Sequence, residues 1–254
     1  MTVRKKISTA MTVFALSWLA GGAQAGVVIS GTRVIYQASE REVTVKLGNE
    51  GDAPALVQVW LDTGNPNALP DESKVPFTLS PPLFRLDPKK GQSLRLIYTQ
   101  EPLPQDKESL FWLNVLEVPP RADAATGSND PNSLQLAFRS RIKLFFRPAG
   151  LPGNADDAAA QVRWKFLRKE NGGYALEASN PTPYHVTFSR IVVADGATNW
   201  TSDKGGMVDP GASADFDIGN LAPHATVPAQ VDYTFINDYG AGVNGKRLRD
   251  GTSK

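Results

Sequence analysis

The sequence predicts an all-β chain of two domains, each a sandwich or barrel. Three observations carry this reading. Short apolar runs of period two recur along the chain, separated by turns rich in Gly, Pro and Asn. No segment joins helical periodicity to both caps for more than a turn or two. Between Ala149 and Ala160 the composition changes: Gly150, Pro152 and Gly153 are followed by Asp156, Asp157 and three alanines, and strands resume beyond.

The chain begins with an address. Arg4, Lys5 and Lys6 precede a short apolar run from Met11 to Ala20, and Ala23-Gln24-Ala25 fits the small-x-small cleavage rule. Residues 1–25 are therefore expected to be a secretory signal peptide, with Gly26 as the mature N-terminus. The run falls short of the ~20 apolar residues a membrane span needs. Among 254 residues there is no Cys, which excludes disulfides, a thiolate nucleophile and a Cys-based zinc site. A net charge of +1 argues against bulk electrostatic binding to nucleic acid.

In order, the expected elements are as follows. Val27 to Gln37 alternates loosely around one charge, Arg33. Glu42 to Leu47 alternates cleanly and ends at the turn Asn49-Glu50-Gly51-Asp52. Ala55 to Leu61 is a strand carrying Trp60. Asn65 to Pro82 reads as loop, with five prolines. Asp87-Pro88-Lys89-Lys90-Gly91 is a turn by chemistry, followed by a strand from Ser93 to Thr99. Ser109 to Val118 is apolar on both faces, which suits a central strand ended by Pro119 and Pro120. Ala122 to Asn132 reads as a loop. The expected first domain is 26–148 and the linker 149–160. The second domain, 161–247, has strands at Gln161–Arg168, Tyr174–Ser179, His185–Val193, Ser213–Ile218 and Gln230–Ile236. The basic end from Lys246 onward reads as solvated, and 248–254 as a tail.

The most informative stretch is Ser133 to Pro148. Leu134, Leu136, Phe138, Ile142, Leu144 and Phe146 share one parity; Gln135, Arg139, Arg141, Lys143 and Arg147 share the other. At about 3.3 Å per residue such a strand spans roughly 45 Å, far beyond the usual five or six residues. Its second face is too basic for a buried sheet. Exposed apolar edges are normally avoided because they template pairing. Leu134, Leu136 and Phe138 are therefore read as an edge offered to another protein.

With these features in place, three segments resemble the periplasmic chaperones of the chaperone–usher pilus pathway: Glu108-Ser109-Leu110-Phe111-Trp112-Leu113-Asn114, then Glu117-Val118-Pro119-Pro120-Arg121, then Ile142-Lys143-Leu144-Phe145-Phe146-Arg147-Pro148. The resemblance implies two immunoglobulin-like β-sandwich domains set as an L with a cleft between them, no catalytic centre and no cofactor or metal. Sandwich architecture and strand addition are general features of that family. The implied partners are pilus subunits with incomplete immunoglobulin-like folds, and the outer-membrane usher; the implied compartment is the periplasm. Residues 133–147 become the donor strand, with Leu134, Leu136 and Phe138 entering the subunit groove. Arg33 and Lys143 become the grip on the subunit's C-terminal carboxylate. Glu108, Arg147 and Asp238 become a charge network between the domains. The missing Cys pair implies the short-loop branch. An unoccupied edge is also open to self-association in the absence of subunit.

Strict alternation places Lys143 on the face opposite Leu136. Either a bulge re-aims it or the second face itself looks into the cleft.

Two rival classes are weighed against this reading. An enzyme finds little support in two His, His185 and His224, with no Gly-x-Ser-x-Gly elbow and a poor metal set. Gly240 to Gly245 matches G-x-G-x-x-G, but no helix or βαβ unit follows. An exported carbohydrate-binding or adhesion sandwich is the other rival, with Trp60, Trp112, Trp164 and Trp200 as candidate sugar platforms.

Overall fold

The computed structural model describes residues 26–72, 74–120, 136–168, 174–195, 198–217 and 230–248. The first half contains β1 (Val27–Ile29), β2 (Arg33–Gln37), β3 (Val43–Asn49), β4 (Ala55–Asp62), β5 (Phe77–Ser80), β6 (Leu83–Leu86), β7 (Gly91–Tyr98), β8 (Ser109–Val118) and β9 (Phe138–Arg147). The second half contains α1 (Ala155–Gln161), β10 (Arg163–Arg168), β11 (Tyr174–Ser179), β12 (Val186–Asp195), β13 (Thr198–Ser202), β14 (Gly206–Val208), β15 (Ser213–Asp217), β16 (Gln230–Ile236) and β17 (Gly242–Leu248).

The first domain packs the sheet β1-β3-β7-β5 on the sheet β2-β9-β8-β4-β6. The run from Val27 to Gln37 is two strands, one in each sheet, because Gly31 at φ 127° turns the chain between them. Inward residues of both sheets form one core, including Val34, Tyr36, Leu94, Leu96, Leu113, Leu144 and Phe146. The second domain packs β10-β11-β15 on β13-β12-β16-β17, with β14 beside β12, around Trp164, Leu176, Phe188, Ile191 and Tyr233.

Several expectations are corrected. Phe77–Ser80 is a strand inside the stretch read as loop, paired with β7. The segment 149–160, expected to be linker, includes most of α1. Asn154 caps this helix by accepting the Asp157 N–H, and Ala158 and Ala159 lie in the second core. Lys246 is solvated as expected, but it, Arg247 and Leu248 belong to β17, paired along all of β16, and not to a tail. The Gly240–Gly245 match is the turn and opening of that hairpin. Strands β13 and β14 were not expected. Within the described residues the long strand begins at Phe138, opposite Glu117 of β8. Leu134, the Ala122–Asn132 loop, His224, residues 1–25 and residues 249–254 lie outside the described residues.

Candidate functional site

Strand register builds the site. β9 pairs with β8 without interruption from Phe138↔Glu117 to Phe146↔Ser109, so no bulge re-aims Lys143. The even face of β9 packs on the core, and the odd face looks toward the second domain. On the other edge, β2 lies parallel to β9 and pairs Arg33 with Lys143. Two cations far apart in sequence thus become neighbours on adjacent strands.

Arg33 Nη1 donates to the Ile236 carbonyl of the second domain at 3.0 Å, and its guanidinium lies 5.7 Å from the Phe145 ring centroid. Arg33 Nε is buried and has no acceptor among the described residues. Lys143 Nζ donates to Thr187 Oγ1 at 3.2 Å. Both cations line a pocket of about 290 Å³ whose walls include Trp112, Arg141 and Gly240. Gly240 is required there: its φ is +81°, and a Cβ would come within 2.3 Å of Thr32 Oγ1 in the other domain. Burial, and next the charge of Arg33, push the Lys143 ammonium down to about 8; Asp209 opposes them. An anion arriving between Arg33 and Lys143 would meet two partly desolvated donors.

Glu108, Arg147 and Asp238 come together between the domains. Arg147 Nε donates to Glu108 Oε1 at 2.7 Å, while Nη1 and Nη2 reach the two Asp238 oxygens at 2.7 and 2.9 Å. Burial works against the Arg147 charge, but hydrogen bonds and the charges of Asp238 and Glu108 outweigh it and raise its affinity for the proton. Arg147 also lies 5.3 Å from the Tyr184 ring centroid.

The apolar edge is placed as expected where it is described. Leu136 is 53% and Phe138 62% exposed. Leu136 precedes the strand. Arg139 and Arg141 lie on the cleft face, over Trp60 and Trp112 at 4.8 and 4.2 Å.

Sequence reasoning missed two groups. His185, named above only in weighing an enzyme, was not connected to the charge network; its N–H and Nδ1 meet Glu108 Oε2 at 2.8 and 3.1 Å, which joins it to that network. The second group is Asp62 and Asn114, which hold the two arginines. A single Asn inside the apolar Ser109–Val118 run was the legible signal. Of the four candidate sugar platforms, Trp60 and Trp164 are buried and Trp112 is flanked by cations.

Taken together, these features define a two-domain β-sandwich protein with a cationic pocket at the domain junction and an exposed apolar stretch at the far end of β9. Residues 26–152 match the family described as pili and flagellar-assembly chaperone, PapD N-terminal domain, and residues 157–247 match the pili assembly chaperone PapD C-terminal domain. The chaperone protein FimB/FhaD of Bordetella pertussis is 48% identical over 229 residues, 89% of this chain and 88% of that protein. The crystal structure of the Pseudomonas aeruginosa CupB2 chaperone superposes with a TM-score of 0.72 at 38% identity, covering 88% of this chain and all of that one. The Salmonella enterica SafB chaperone, solved in complex with the SafA pilin, gives 0.70 at 27% identity, covering 90% of this chain and 98% of that one. The chain belongs to the PapD-type family of pilus-assembly chaperones.

Proposed function

We propose that this protein is a periplasmic chaperone that captures pilus subunits by lending them β9 and delivers them to an outer-membrane usher. The observation that carries the reading is the pairing of Arg33 with Lys143 where an open strand edge ends. β2 covers β9 only from Lys143 to Arg147, so among the described residues Phe138 to Ile142 have a ladder partner on the β8 side alone. A client strand laid on that open edge, with its terminal carboxylate between Arg33 and Lys143, must run parallel to β9 and stop where β2 starts. The orphaned Arg33 Nε supports the same occupant.

The energetics favour this arrangement. Hydrogen bonds from charged donors are worth about 1.5–3 kcal/mol each. Burying Leu136 and Phe138 in a client groove adds about 1.5–3 kcal/mol apiece as an upper range. Backbone pairing is indifferent to client sequence, whereas a chain end has one position, so the carboxylate fixes register. The network of Glu108, Arg147, Asp238 and His185 holds the two walls of the pocket in place. The SafB–SafA complex supports a pilin as the client class. The usher and the compartment rest on family relationship.

The test uses one subunit-derived peptide with alternating apolar residues in two forms, with a free C-terminal carboxylate and as its amide. The purified protein should bind the acid at least tenfold more tightly, and Arg33→Ala with Lys143→Ala should erase the difference while the fold persists. Equal binding of acid and amide by the unsubstituted protein would overturn the assignment.

A further inference from the structure

We infer that Asp62 is a positioning residue of the carboxylate pocket: it claims Arg141, and so leaves Arg33 and Lys143 as the two charges offered to an incoming carboxylate. The inference rests on the reading of the pocket given above.

Three cations line the pocket, Arg33, Arg141 and Lys143, and they are not equivalent. Register places Asp62, Trp112, Lys143 and Arg33 in one cross-strand row over β4, β8, β9 and β2. Asp62 is 1% exposed, although it ends its strand. Arg141 turns both Nε and Nη2 onto its carboxylate, Nε to Oδ2 at 3.2 Å and Nη2 to Oδ1. Asn114 Nδ2 donates to Asp62 Oδ2 at 2.7 Å, and the Gly64 N–H donates to Oδ1 at 2.6 Å. Asn114 in turn accepts from Arg139 Nε and Nη2 at 3.0 and 2.6 Å. Burial opposes the Asp62 charge, but the hydrogen bonds from Arg141, Asn114 and Gly64 win and hold its carboxyl below the usual range. The anion is therefore permanent near neutral pH, and Arg141 is matched to it in a fork.

This matters for two reasons. Arg141 precedes Lys143 by two residues on the strand along which the client runs. A carboxylate stopped at a free Arg141 would sit roughly 6.5 Å short of its place. The second reason is the charge on Lys143. The charged groups facing it are Arg33 from β2, Arg141 from its own strand and Asp209 from the second domain, with Trp112 and Thr187 as neutral neighbours. Arg33 already weakens its hold on the proton. An Arg141 stripped of its counterion would weaken it further.

The experiment follows the Lys143 ammonium by heteronuclear NMR titration in the mature full-length chain. Asp62→Asn should lower the Lys143 midpoint by roughly half a unit or more, and Asp62→Asn with Arg141→Met should return it. A folded Asp62→Asn protein with an unmoved midpoint, or a drop that the double variant does not reverse, would overturn the inference. Should Asp62→Asn fail to fold, Arg141→Met alone decides: an Asp62 freed of that cation should raise the midpoint, and no change sinks the idea. The acid-against-amide comparison on unsubstituted protein tests the pocket itself, so the two failures are distinguishable.

Discussion

The two halves of β9, Phe138 to Ile142 and Lys143 to Arg147, lie on one continuous strand, yet they are in opposite states. From Phe138 to Ser140 the strand is exposed; from Leu144 to Phe146 three consecutive side chains are buried. The strand contributes to this difference, since Leu144-Phe145-Phe146 is an unbroken apolar run while Arg139 and Ser140 interrupt the upper half, but its neighbours complete it. In the lower half, β2 closes the outer edge, the core takes Leu144 and Phe146, and the second domain covers Phe145 with His185 at 5.2 Å between ring centroids. In the upper half, neither an edge strand nor the second domain takes that place among the described residues. The comparison teaches that an exposed strand edge is made by withholding neighbours, and that the buried half is what anchors the exposed half.

The sharpest way to break the comparison is truncation at matched positions. Phe146→Ala should cost about 3–5 kcal/mol, because Phe146 is 1% exposed, stacks on Tyr36 and packs against the rings of Tyr98 and Phe77. Chemical denaturation of both variants checks this. A Phe138→Ala protein losing as much as Phe146→Ala would mean the two halves are not different in kind.

Next comes the junction. Arg147→Ala leaves Glu108 and Asp238 without their cation. Glu108 is almost fully buried, while Asp238 keeps 30% of its side-chain surface. Breaking a buried pair costs about 3–5 kcal/mol; partial exposure of Asp238 puts the expectation nearer 2–3 kcal/mol. Replacing Asp238 by Ala should cost less, because its charge is the more solvated one. The larger loss on substituting Asp238 would overturn this ranking.

How far these features were legible in the sequence follows from the same contrast. Strand alternation gave the odd and even faces of β9, and the central place of Ser109–Val118. The family resemblance named Arg33, Lys143, Glu108, Arg147 and Asp238, and the structure brings the first two and the last three into contact distance of one another or of shared neighbours. What stayed hidden is what register decides. Asp62 joins the Arg33–Lys143 row only because three ladders align it there, and no spacing along the chain encodes that. His185 reaches Glu108 because the Asn180 side chain holds its turn, accepting from Thr182 and donating to the Tyr184 carbonyl. α1 was hidden by its shortness: seven residues with an Asn cap and an alanine face lie below the length at which periodicity speaks.

A smaller and sign-specific effect belongs to Lys143. Its folded value of about 8 lies below the ordinary 10.5, so burying the charged form costs stability. Below about 8 both states carry the proton and the full cost is present. Between about 8 and 10.5 the unfolded chain binds more protons, so this group's contribution makes the fold sturdier as pH rises. Client capture should run the other way, because the neutral amine no longer attracts a carboxylate. Stability and peptide affinity measured from pH 7 to 10, each against Lys143→Met as reference, should therefore diverge. Parallel changes would place Lys143 outside the carboxylate site.

The smallest effect on the free protein is expected at Phe138. It is 62% exposed and, at the end of its ladder, faces only Glu117 across the sheet. Phe138→Glu removes little buried contact, so the free protein should keep its stability within about 0.5 kcal/mol. The acidic side chain also lies opposite Glu117, and like charges directly across a ladder are mildly unfavourable, so any change should be a small loss. Capture responds differently. In the proposed complex the position-138 side chain enters an apolar groove, and a carboxylate there is desolvated without a partner. A thermal melt and a subunit pull-down on one preparation read both quantities. An unchanged melt with lost capture is the expected pair. Intact capture would remove Phe138 from the client interface.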